Sequence, residues 1–477
     1  MDKKEERDIR IEKVNKLREK GIIPYSYRAE RSHTISTLLK NFDIIVDKKE
    51  QVTIAGRVMA KRMHGKTCFM DIHDENGKIQ IYIRKDVVEQ YSLIELLDIG
   101  DFLQVSGEVF KTKTEEPTIY VKDFKILSKS LRPLPEKWHG LKDTETRFRK
   151  RYLDFLVNKD AREKIKNRAI ITQIIRDFFN RRGFIEIETP ILQPIYGGAF
   201  AIPFKTYYNA LERNFYLRIA DELYLKRLLV GGFEKVYEIG KDFRNEGVDR
   251  LHNPEFTQIE AYQVYADYND MMELVKSLFM EIGKLLYGSL EINFMGNKID
   301  LNSWTKVDYV DSINEKCQCD VLNLDMKELK NLCKKYGISV TEKTTRNKII
   351  DKLFSSLVQE HLIQPSFVVD HPIFISPLAK EHREKEGRVE RFELIVGGLE
   401  IANSFSELND PIEQRKRFLE QIKMKEEFTT MDEDFIEALE YGMPPAGGIG
   451  IGIDRLVMLF TNSTSIREII AFPQLRK

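Results

Sequence analysis

The sequence has no excess of charge of either sign. In 477 residues, 76 lysines and arginines balance 76 aspartates and glutamates, so the formal net charge at pH 7 is zero. Such a chain cannot hold nucleic acid through its overall charge, and any such binding must come from local basic patches. A chain of this length is expected to form two or three domains rather than one.

Cysteines and long apolar runs are also scarce. Cys68, Cys317, Cys319 and Cys333 have neither the C-x-x-C spacing of a redox pair nor the spacing of a zinc site. We interpret them as reduced structural thiols, which favours a cytoplasmic location. No early apolar run resembles a signal peptide, and no stretch of about 18 apolar residues predicts a membrane span. No membrane partner is therefore expected.

Residues 236–262 have the pattern of a β-hairpin whose loop carries polar side chains. Alternating residues predict one strand that begins at Val236 and a second over Phe256–Tyr262. Arg244 and Glu246 would lie at the mouth of this hairpin, where the planar donors of an arginine suit a phosphate or carboxylate. Phe256 offers a flat face for a base. For this segment alone, a hairpin with a solvated tip is an equal alternative.

A second segment, residues 447–456, alternates glycine with isoleucine and runs into an apolar helix over Leu456–Phe460. Glycines on one face of a strand leave room for a flat ligand against the backbone. Arg455 would lie at the start of the helix, where the negative charge of a phosphate is favoured. The segment therefore predicts a second contact surface for the same ligand.

Together these two segments closely resemble motifs 2 and 3 of the class II aminoacyl-tRNA synthetases. FRNEG, HNPEF, ELND and GIGIDRL occur in the order found in that class, and the similarity to bacterial-type lysyl-tRNA synthetases extends from Lys16 to Arg476. The resemblance implies an α+β fold, with an N-terminal five-stranded OB-fold β-barrel and a catalytic domain built on an antiparallel β-sheet flanked by helices. It also implies ATP-dependent attachment of L-lysine to tRNA(Lys) through a lysyl-adenylate.

The predicted organisation has four parts in chain order. They are an N-terminal helical extension (1–50), an OB-fold anticodon-binding domain (51–130), a proline-containing linker (131–145) and a class II catalytic domain (146–477). A small helical insertion is expected at about 305–365, because residues 326–336 and 348–361 have helical periodicity.

Five short strand patterns with turn signals between them predict the barrel. They cover Val52–Met59, Phe69–Ile72, Lys78–Ile83, Phe102–Phe110 and Thr118–Leu127. Such barrels bind single-stranded nucleic acid by stacking bases on aromatic side chains beside cations. The resemblance implies that the anticodon is recognised by Arg62, Phe69, Gln80 and Glu116. From the sequence alone, packing of Phe69 in the core is the commoner alternative.

Residues 162–190 resemble motif 1, which forms the dimer interface of the class. The pattern predicts a helix over Arg162–Arg182, with Ile165, Ala169, Ile174 and Phe178 on one apolar stripe, followed by a strand over Phe184–Pro190. The resemblance therefore implies a homodimer. An ordinary helix–strand unit is the alternative for this segment alone.

The amino-acid pocket is expected where several segments meet. The resemblance assigns lysine binding to Gly198, Glu222, Arg244, Glu260, Tyr262, Asn403, Phe405 and Glu407. Residues two apart on a strand share a face, so Glu260 with Tyr262, and Phe405 with Glu407, would converge on one cavity if their strands are neighbours. Unpaired buried carboxylates are costly, so such a pocket favours a cationic substrate.

The nucleotide and its metal are expected beside this pocket. The turn signal at 396–399 would bring Glu393 and Glu400 onto adjacent strands, where two carboxylates facing a polyphosphate make a Mg²⁺ site. The resemblance places the magnesium ligands there, with cross-strand glutamates paired to lysines as the alternative. It assigns ATP binding to Arg244, Glu246, His252, Asn253, Phe256, Glu393, Glu400 and Arg455. Arg244, at the α-phosphate, and Arg455, at the γ-phosphate, are the expected catalytic residues.

Four residues depart from the family pattern. Glu115 stands in place of glycine, Pro117 in place of leucine, Ile202 in place of arginine or lysine, and Asp221 in place of proline. The replacement of proline by Asp221 is expected to have a mild effect, because aspartate is favoured at a helix start.

Other functions compete with lysine attachment to tRNA. The closest is a related ligase for aspartate or asparagine, but those substrates call for a basic or amide pocket rather than Glu260 and Glu407. A non-canonical relative is the other class: an RNA-binding regulator, an enzyme that transfers lysine to protein, or one that forms diadenosine polyphosphates from a bound adenylate.

Overall fold

The structure is a computed structural model that describes residues 3–135, 141, 143–199, 201–423 and 431–475. The chain divides into two units, residues 1–142 and residues 143–477. The predicted linker falls at this division, and its residues 136–140 and 142 lie outside the described residues. In the described part of the chain, no helix is long and apolar enough to cross a membrane.

The first unit is a five-stranded barrel with helices packed against it. Its elements are α1 (Lys3–Glu19), α2 (Ile35–Lys40), α3 (Phe42–Asp47), β1 (Gln51–His64), β2 (Thr67–His73), β3 (Lys78–Arg84), β4 (Phe102–Lys111) and β5 (Pro117–Ser128). The strands pair in the order β1-β2-β3-β5-β4, and β4 pairs back with β1, so the barrel closes. Alternate residues of each strand enter one core, which Leu17 of α1 and Leu38 of α2 join. The barrel predicted from the sequence is confirmed.

The second unit is built on an eight-stranded sheet. Its first elements are α4 (Thr144–Arg149), α5 (Arg151–Val157), α6 (Lys159–Arg181), β6 (Ile185–Glu186), β7 (Leu192–Gln193), β8 (Lys205–Tyr208), β9 (Arg213–Leu217), α7 (Glu222–Val230), β10 (Lys235–Phe243), β11 (Glu255–Val264) and α8 (Tyr268–Tyr287). Then follow β12 (Glu291–Phe294), β13 (Asn297–Asp300), β14 (Thr305–Asp308), α9 (Tyr309–Cys317), α10 (Met326–Lys335), α11 (Arg346–Leu357), β15 (Ser366–Val369), β16 (Arg391–Val396), β17 (Leu399–Ser406), α12 (Pro411–Lys423), α13 (Glu433–Glu440), β18 (Ala446–Gly452), α14 (Ile453–Phe460) and α15 (Ile466–Ile469).

The large sheet has the strand order β14-β15-β16-β17-β18-β11-β10-β6. The strand pair at each edge, β14 with β15 and β10 with β6, is parallel. All strand pairs between them are antiparallel. One face packs against α6, α8 and α14 in a single apolar core, to which β18 contributes Ile449 and Ile451. The glycines that alternate with these isoleucines face the opposite side of the sheet. An antiparallel sheet flanked by helices is therefore confirmed.

Two local predictions were wrong, and a third was incomplete. The region predicted as a helical insertion contains α9, α10 and α11, but it begins with β14, which pairs in parallel with β15 at the edge of the sheet. The strand predicted over Phe184–Pro190 is reduced to β6, and further along the N–H of Thr189 donates to the side chain of Glu238 at 3.0 Å rather than to a backbone carbonyl. Ala169, predicted on the buried stripe of α6, is exposed.

Candidate active site

Two rows of residues run across five strands on the open face of the sheet. The first row is Glu238, Glu260, Gly450, Asn403 and Glu393, and the second row is Val236, Tyr262, Gly448, Phe405 and Arg391. The strands that carry Glu260 and Asn403 are therefore not neighbours, so the condition under which the sequence predicted one shared cavity is not met. β18 lies between them, and it has a glycine in both rows, so the side chains on either side face one another across its backbone.

Gly448 is the tighter of these two glycines. A Cβ at this position would collide with Oε1 of Glu407 and would lie 2.5 Å from the ring of Tyr262. The nearest atom to a Cβ at Gly450 is 3.7 Å away, an ordinary contact. The glycine at 448 therefore makes the room in which Tyr262 and Glu407 come together.

A cavity of about 500 Å³ lies over these rows. The predicted site residues that line it are Gly198, Glu222, Arg244, Glu246, His252, Asn253, Phe256, Glu260, Tyr262, Glu400, Asn403, Phe405 and Arg455. Glu393 and Glu407 are not among its lining residues. Phe256 and Tyr262 are six residues apart on β11, so the cavity follows this strand for roughly 20 Å.

The loop before α7 approaches the cavity closely. Gly198 has a φ of +88°, which favours glycine, and a Cβ there would lie 3.0 Å from that of Ala220. Glu222 is the first residue of α7, so its buried carboxylate lies at the positive end of the helix. These two residues close the inner end of the cavity.

Six buried carboxylates surround this inner end and are called the acidic cluster below. Its members are Asp221, Glu222, Glu238, Asp242, Glu260 and Glu407. Among the described residues, the fully buried cations paired with the cluster are Arg218 and Lys226. The acidic cluster therefore holds more carboxyl groups than it has buried cations to neutralise them.

Lys226 joins two members of the cluster. Its Nζ lies 2.5 Å from Oε1 of Glu222 and also pairs with Glu407. Burial opposes the charge, but Glu222 and Glu407 outweigh it and raise the pKa of Lys226. Glu407 is thus ion-paired with a lysine of the chain itself, and it does not line the cavity.

Glu260 is held by its neighbours on both oxygens. Nε2 of Gln258 donates to Oε1 at 2.8 Å, and the hydroxyl of Tyr262 donates to Oε2 at 2.9 Å. Burial, then the charge of Glu222 and that of Asp242 raise the pKa of Glu260 to about 8. Burial and the charge of Asp221 likewise raise the pKa of Asp242 to about 8.

Arg244 and Phe256 form the other end of the cavity. The guanidinium carbon of Arg244 lies 5.0 Å from the centre of the Phe256 ring, and the backbone N–H of Arg244 donates to the carbonyl of Pro254 at 2.9 Å. Both residues line the cavity, so the arginine and the aromatic ring lie together at its surface. Asn253 is buried, and its amide donates to the carbonyl of Glu255 at 2.6 Å, which fixes the loop between β10 and β11.

A chain of polar contacts links that loop to α14. Nδ1 of His252 lies 2.9 Å from Asp249, and its Nε2 lies 3.1 Å from Nη2 of Arg455. The network assigns the ring proton to Nδ1, so that Nε2 accepts from the arginine. Arg455 also donates to the carbonyl of Glu400 at 2.8 Å and to its carboxylate at 3.2 Å. Glu246 is exposed in the same loop.

Glu393 and Glu400 stand on adjacent strands but are not paired with each other. Glu393 pairs with Asn403, and Glu400 pairs with Ile395 after a bulge. Arg391 donates to Glu393 at 2.6 Å and to Asn403 at 2.9 Å. Although burial opposes its ionisation, Arg391 and His371 lower the pKa of Glu393 to about 2. Glu393 is therefore an anion at neutral pH.

The predicted anticodon residues lie together on the outside of the barrel. Cys68 and Met70 point into the core, so Phe69 between them faces outward, and its ring stacks on that of Tyr82 at 4.7 Å. Arg62 donates to Gln80 at 3.1 Å. The packing of Phe69 in the core, the commoner alternative from the sequence, was therefore wrong.

The family departures have local explanations in three cases. Glu115 keeps a φ of +59°, a conformation that glycine adopts without strain, and Pro117 is the first residue of β5, where proline is tolerated. The backbone carbonyl of Ile202 accepts from the N–H of Asn245 at 2.7 Å, a contact that does not depend on the side chain. Glu116 is exposed next to this turn.

Asp221 does not act as the sequence suggested. It occupies the N-cap position of α7, but its side chain makes no capping hydrogen bond and is fully buried. Burial and the neighbouring Glu260 raise its pKa well above the ordinary value. Asp221 thus stands at the helix start as expected, but the capping hydrogen bond on which its mild effect was argued is not formed.

Sequence reasoning missed several residues that contact the site. Lys226 follows Glu222 by one helical turn, and Gln258 precedes Glu260 by two strand residues, so both could have been found from spacing. Asp242 and Arg391 could not, because their contacts depend on which strands are neighbours.

A class II synthetase is the class of protein that this sheet and cavity define, and the chain belongs to the family of tRNA synthetases class II (D, K and N), whose model matches residues 143–476. An OB-fold nucleic acid binding domain model matches residues 52–127. The family resemblance stated from the motifs is confirmed.

Close relatives cover nearly the whole chain. It is 51% identical to a lysine–tRNA ligase of Carboxydothermus hydrogenoformans, over 98% of this chain and 97% of that protein. It is 50% identical to the lysine–tRNA ligase of Thermotoga maritima, over 98% and 96% of the two chains. It is also 50% identical to that of Roseiflexus castenholzii, over 98% of each.

Proposed function

We propose that this protein attaches L-lysine to tRNA(Lys) in two steps at the cavity over the two rows. In the first step the lysine carboxylate attacks the α-phosphorus of ATP, and pyrophosphate leaves. In the second, a hydroxyl of the terminal ribose of tRNA attacks the carbonyl of the lysyl-adenylate, and AMP leaves. The proposal agrees with what the relatives are named for.

The surplus of buried carboxylates is the observation that carries the choice of lysine. Carboxylates removed from water need cations or protons, and a substrate with two ammonium groups supplies part of the positive charge that Arg218 and Lys226 do not provide. Phe405 and Tyr262 provide flat walls for an apolar stem.

An aspartate or asparagine substrate fits this cavity less well. Aspartate needs a free cation near its side chain, and the donors of Arg391 are already engaged by Glu393, Asn403 and Ser376. Lys226 is likewise held by two carboxylates. The described cations around the inner end therefore have their partners within the chain.

The chain's own residues would carry the reaction by position and charge rather than by covalent chemistry. Arg244 would bind the α-phosphate and the lysine carboxylate, and Phe256 would stack on adenine. Arg455 would bind the γ-phosphate. Nη2 of the same guanidinium donates to Nε2 of His252, which would orient it. Glu222, the first residue of α7, would bind the α-ammonium of lysine.

Glu393 and Glu400 are the residues proposed to hold Mg²⁺. They fit a magnesium site because their carboxylates lie on adjacent strands, Glu393 is anionic at neutral pH, and Mg²⁺ prefers a few carboxylates together with phosphate oxygens. The ion would neutralise the charge of the leaving pyrophosphate.

The barrel is proposed to bind the anticodon through Arg62, Phe69, Gln80 and Glu116. The outward ring of Phe69 and the contact between Arg62 and Gln80 support this role, because bases bind such barrels by stacking beside cations. The activity belongs to the cytoplasm if the protein serves protein synthesis; that location stays a prediction.

We also propose a homodimer, as the resemblance of residues 162–190 to motif 1 implies. Large apolar side chains are exposed along β6–β9: Ile185, Ile191, Leu192, Tyr207, Tyr208 and Leu211. An exposed group of this kind is typical of an interface. Light scattering at micromolar concentration tests the proposal, and a monomer contradicts it.

Charging of tRNA(Lys) with labelled lysine tests the function directly. Wild type should charge it, and Glu260→Gln should lower kcat/KM for lysine about ten- to a hundred-fold, because a charged hydrogen-bond partner is worth about 1.5–3 kcal/mol. Glu255→Gln, on the same strand but paired with Lys241, is the matched control and should charge normally. Equal activity of Glu260→Gln and wild type would contradict the proposed pocket.

A further inference from the structure

Asp221 and Glu260 lie closer together than two buried, ionised carboxylates would favour. Carboxyl oxygens of Asp221, Asp242 and Glu260 all lie within 4.8 Å of one another. Among the described residues, no N–H or O–H group of another kind donates to either oxygen of Asp221. Like charges at this distance repel strongly in a buried site, which favours the protonated form of at least one of these carboxyl groups.

Other charged groups face this pair from every element that packs against it. They are Glu238 and Asp242 from β10, Arg218 from the end of β9, Tyr262 from β11 and Glu222 from the start of α7. Arg218 is already shared between Glu238 at 2.6 Å and Asp242 at 3.0 Å. No described cation is therefore left over for Asp221.

The position of the pair relates it to the substrate. Glu260 lines the cavity, whereas Asp221 does not. A cation that enters the inner end would therefore meet Glu260 and not Asp221. Asp221 would act on that cation through Glu260.

We propose that Asp221 and Glu260 share one proton in the free site and that the ammonium of the amino-acid substrate displaces it, so that Asp221 is a positioning residue which couples substrate binding to pH. The inference rests on the proposed function, because lysine supplies the ammonium. In the free site the acid form of Asp221 donates to Glu260 and fixes its orientation. In the occupied site the cation takes the place of the proton.

The sign of the pH dependence follows from this exchange. A proton lost on binding makes binding tighter as pH rises, until the free pair has already lost it. The raised pKa of Glu260, about 8, places this range near neutral pH. For one displaced proton the KM for lysine changes by at most about tenfold per pH unit.

The test is the KM for lysine in ATP–pyrophosphate exchange, measured from about pH 6.5 to pH 8 for wild type and Asp221→Asn. Asparagine has the same size and donates to Glu260, but it cannot ionise. Wild type should show a KM that falls steeply with pH, whereas Asp221→Asn should show a slope of about threefold per pH unit or less. The KM for ATP and kcat should stay unchanged in both.

A second variant and a control keep the result interpretable. Asp221→Ser also donates without ionising, and should flatten the slope if the asparagine variant does not fold. Asp47→Asn, on the exposed side of α3, removes a carboxylate far along the chain from the site and should keep the wild-type slope. A flattened slope in this control would overturn the inference.

Infrared spectroscopy detects the shared proton without relying on turnover. Wild type at neutral pH should show the C=O stretching band of a protonated carboxyl group, which weakens in Asp221→Asn and on addition of lysine. A wild type that lacks the band overturns the inference, as does an asparagine variant with the wild-type slope. Failure of the proposed function would look different, because lysine would then support no exchange in wild type at any pH.

Discussion

Single residues of this site act through the space that glycine leaves on β18. In the second row, Tyr262 and Phe405 face one another only because Gly448 stands between them without a side chain. Gly450 likewise has no side chain, so Glu260 faces Asn403 across it. The pocket is thus shaped as much by the glycines of β18 as by the side chains that line it.

Gly448→Ala should lower stability, because the new Cβ would collide with Glu407 and lie 2.5 Å from the ring of Tyr262, both of which are buried. Overpacking of this kind costs about 1–3 kcal/mol. Gly450→Ala is the matched control, since its nearest neighbour would be 3.7 Å away. Urea unfolding gives the free energy of unfolding of each variant. Equal values would show that an alanine side chain fits at position 448 without a clash.

The buried carboxyls should also make the free protein less stable as pH rises. The pKa values of Asp242 and Glu260 are raised to about 8 from ordinary values of 3.8 and 4.5, so the folded state holds protons that the unfolded state has released. Stability from each group is full below its ordinary pKa and falls by about 1.4 kcal/mol per pH unit up to the raised one.

The difference in melting temperature between wild type and Glu260→Gln isolates one of these groups. Without lysine, this difference should shift in favour of the glutamine variant from about pH 6 to pH 8, because glutamine has no proton to lose. Saturating lysine should remove the shift. A melting-temperature difference that stays constant from about pH 6 to pH 8 would mean that the folded protein releases no proton from Glu260 or its partner over this range.

At the scale of elements, strand patterns and motifs predicted most of what the structure contains. The hairpin of β10 and β11, the glycine strand β18 and all five strands of the barrel appear where alternation placed them. Alternation works here because each strand has one buried face and one open face. The motif residues that line the cavity also came from these segments.

Other features depended on strand order, which no local pattern contains. The sequence predicted that Glu260 and Phe405 lie on two strands but left open whether these strands are adjacent, and β18 separates them. β14 was missed because four residues give too short a run to distinguish from a loop. The contact of Asp221 with Glu260 joins two elements and looked from the sequence like a helix cap.

The turn between β4 and β5 offers a test of local backbone strain. Glu115 has a φ of +59°, in the left-handed region that favours glycine. Glu115→Gly should therefore raise the free energy of unfolding by about 0.5–1 kcal/mol, the relief of left-handed strain less the entropy that glycine adds to the unfolded chain. Its neighbour supplies the control: Glu116→Gly, with no strain to relieve, should lower stability. If both variants lose stability, the turn does not hold Glu115 in this conformation.

For the whole molecule, the sites proposed for lysine and for the tRNA anticodon lie in different units. The acidic cluster and the cavity belong to residues 143–477, whereas the proposed anticodon surface belongs to residues 1–142. Activation of lysine and binding of tRNA should therefore respond to different substitutions.

Phe69→Ala tests this division. The ring stacks on Tyr82 on the outside of the barrel, so its loss should weaken tRNA binding by about 1–3 kcal/mol, the value of one stacked base. Exchange of pyrophosphate driven by lysine should stay at the wild-type rate. Tyr27→Ala, which removes an aromatic side chain that is 98% exposed in the same unit, is the control and should leave both steps intact. Equal losses in both steps would refute the stacking role.

The central claim is that the acidic cluster selects lysine. The most direct measurement is ATP–pyrophosphate exchange by the wild type with each standard amino acid in turn. Lysine should drive the exchange, because its two ammonium groups reduce the surplus of buried carboxylates around Glu260 and Glu222. Exchange driven better by aspartate or asparagine than by lysine would contradict the account.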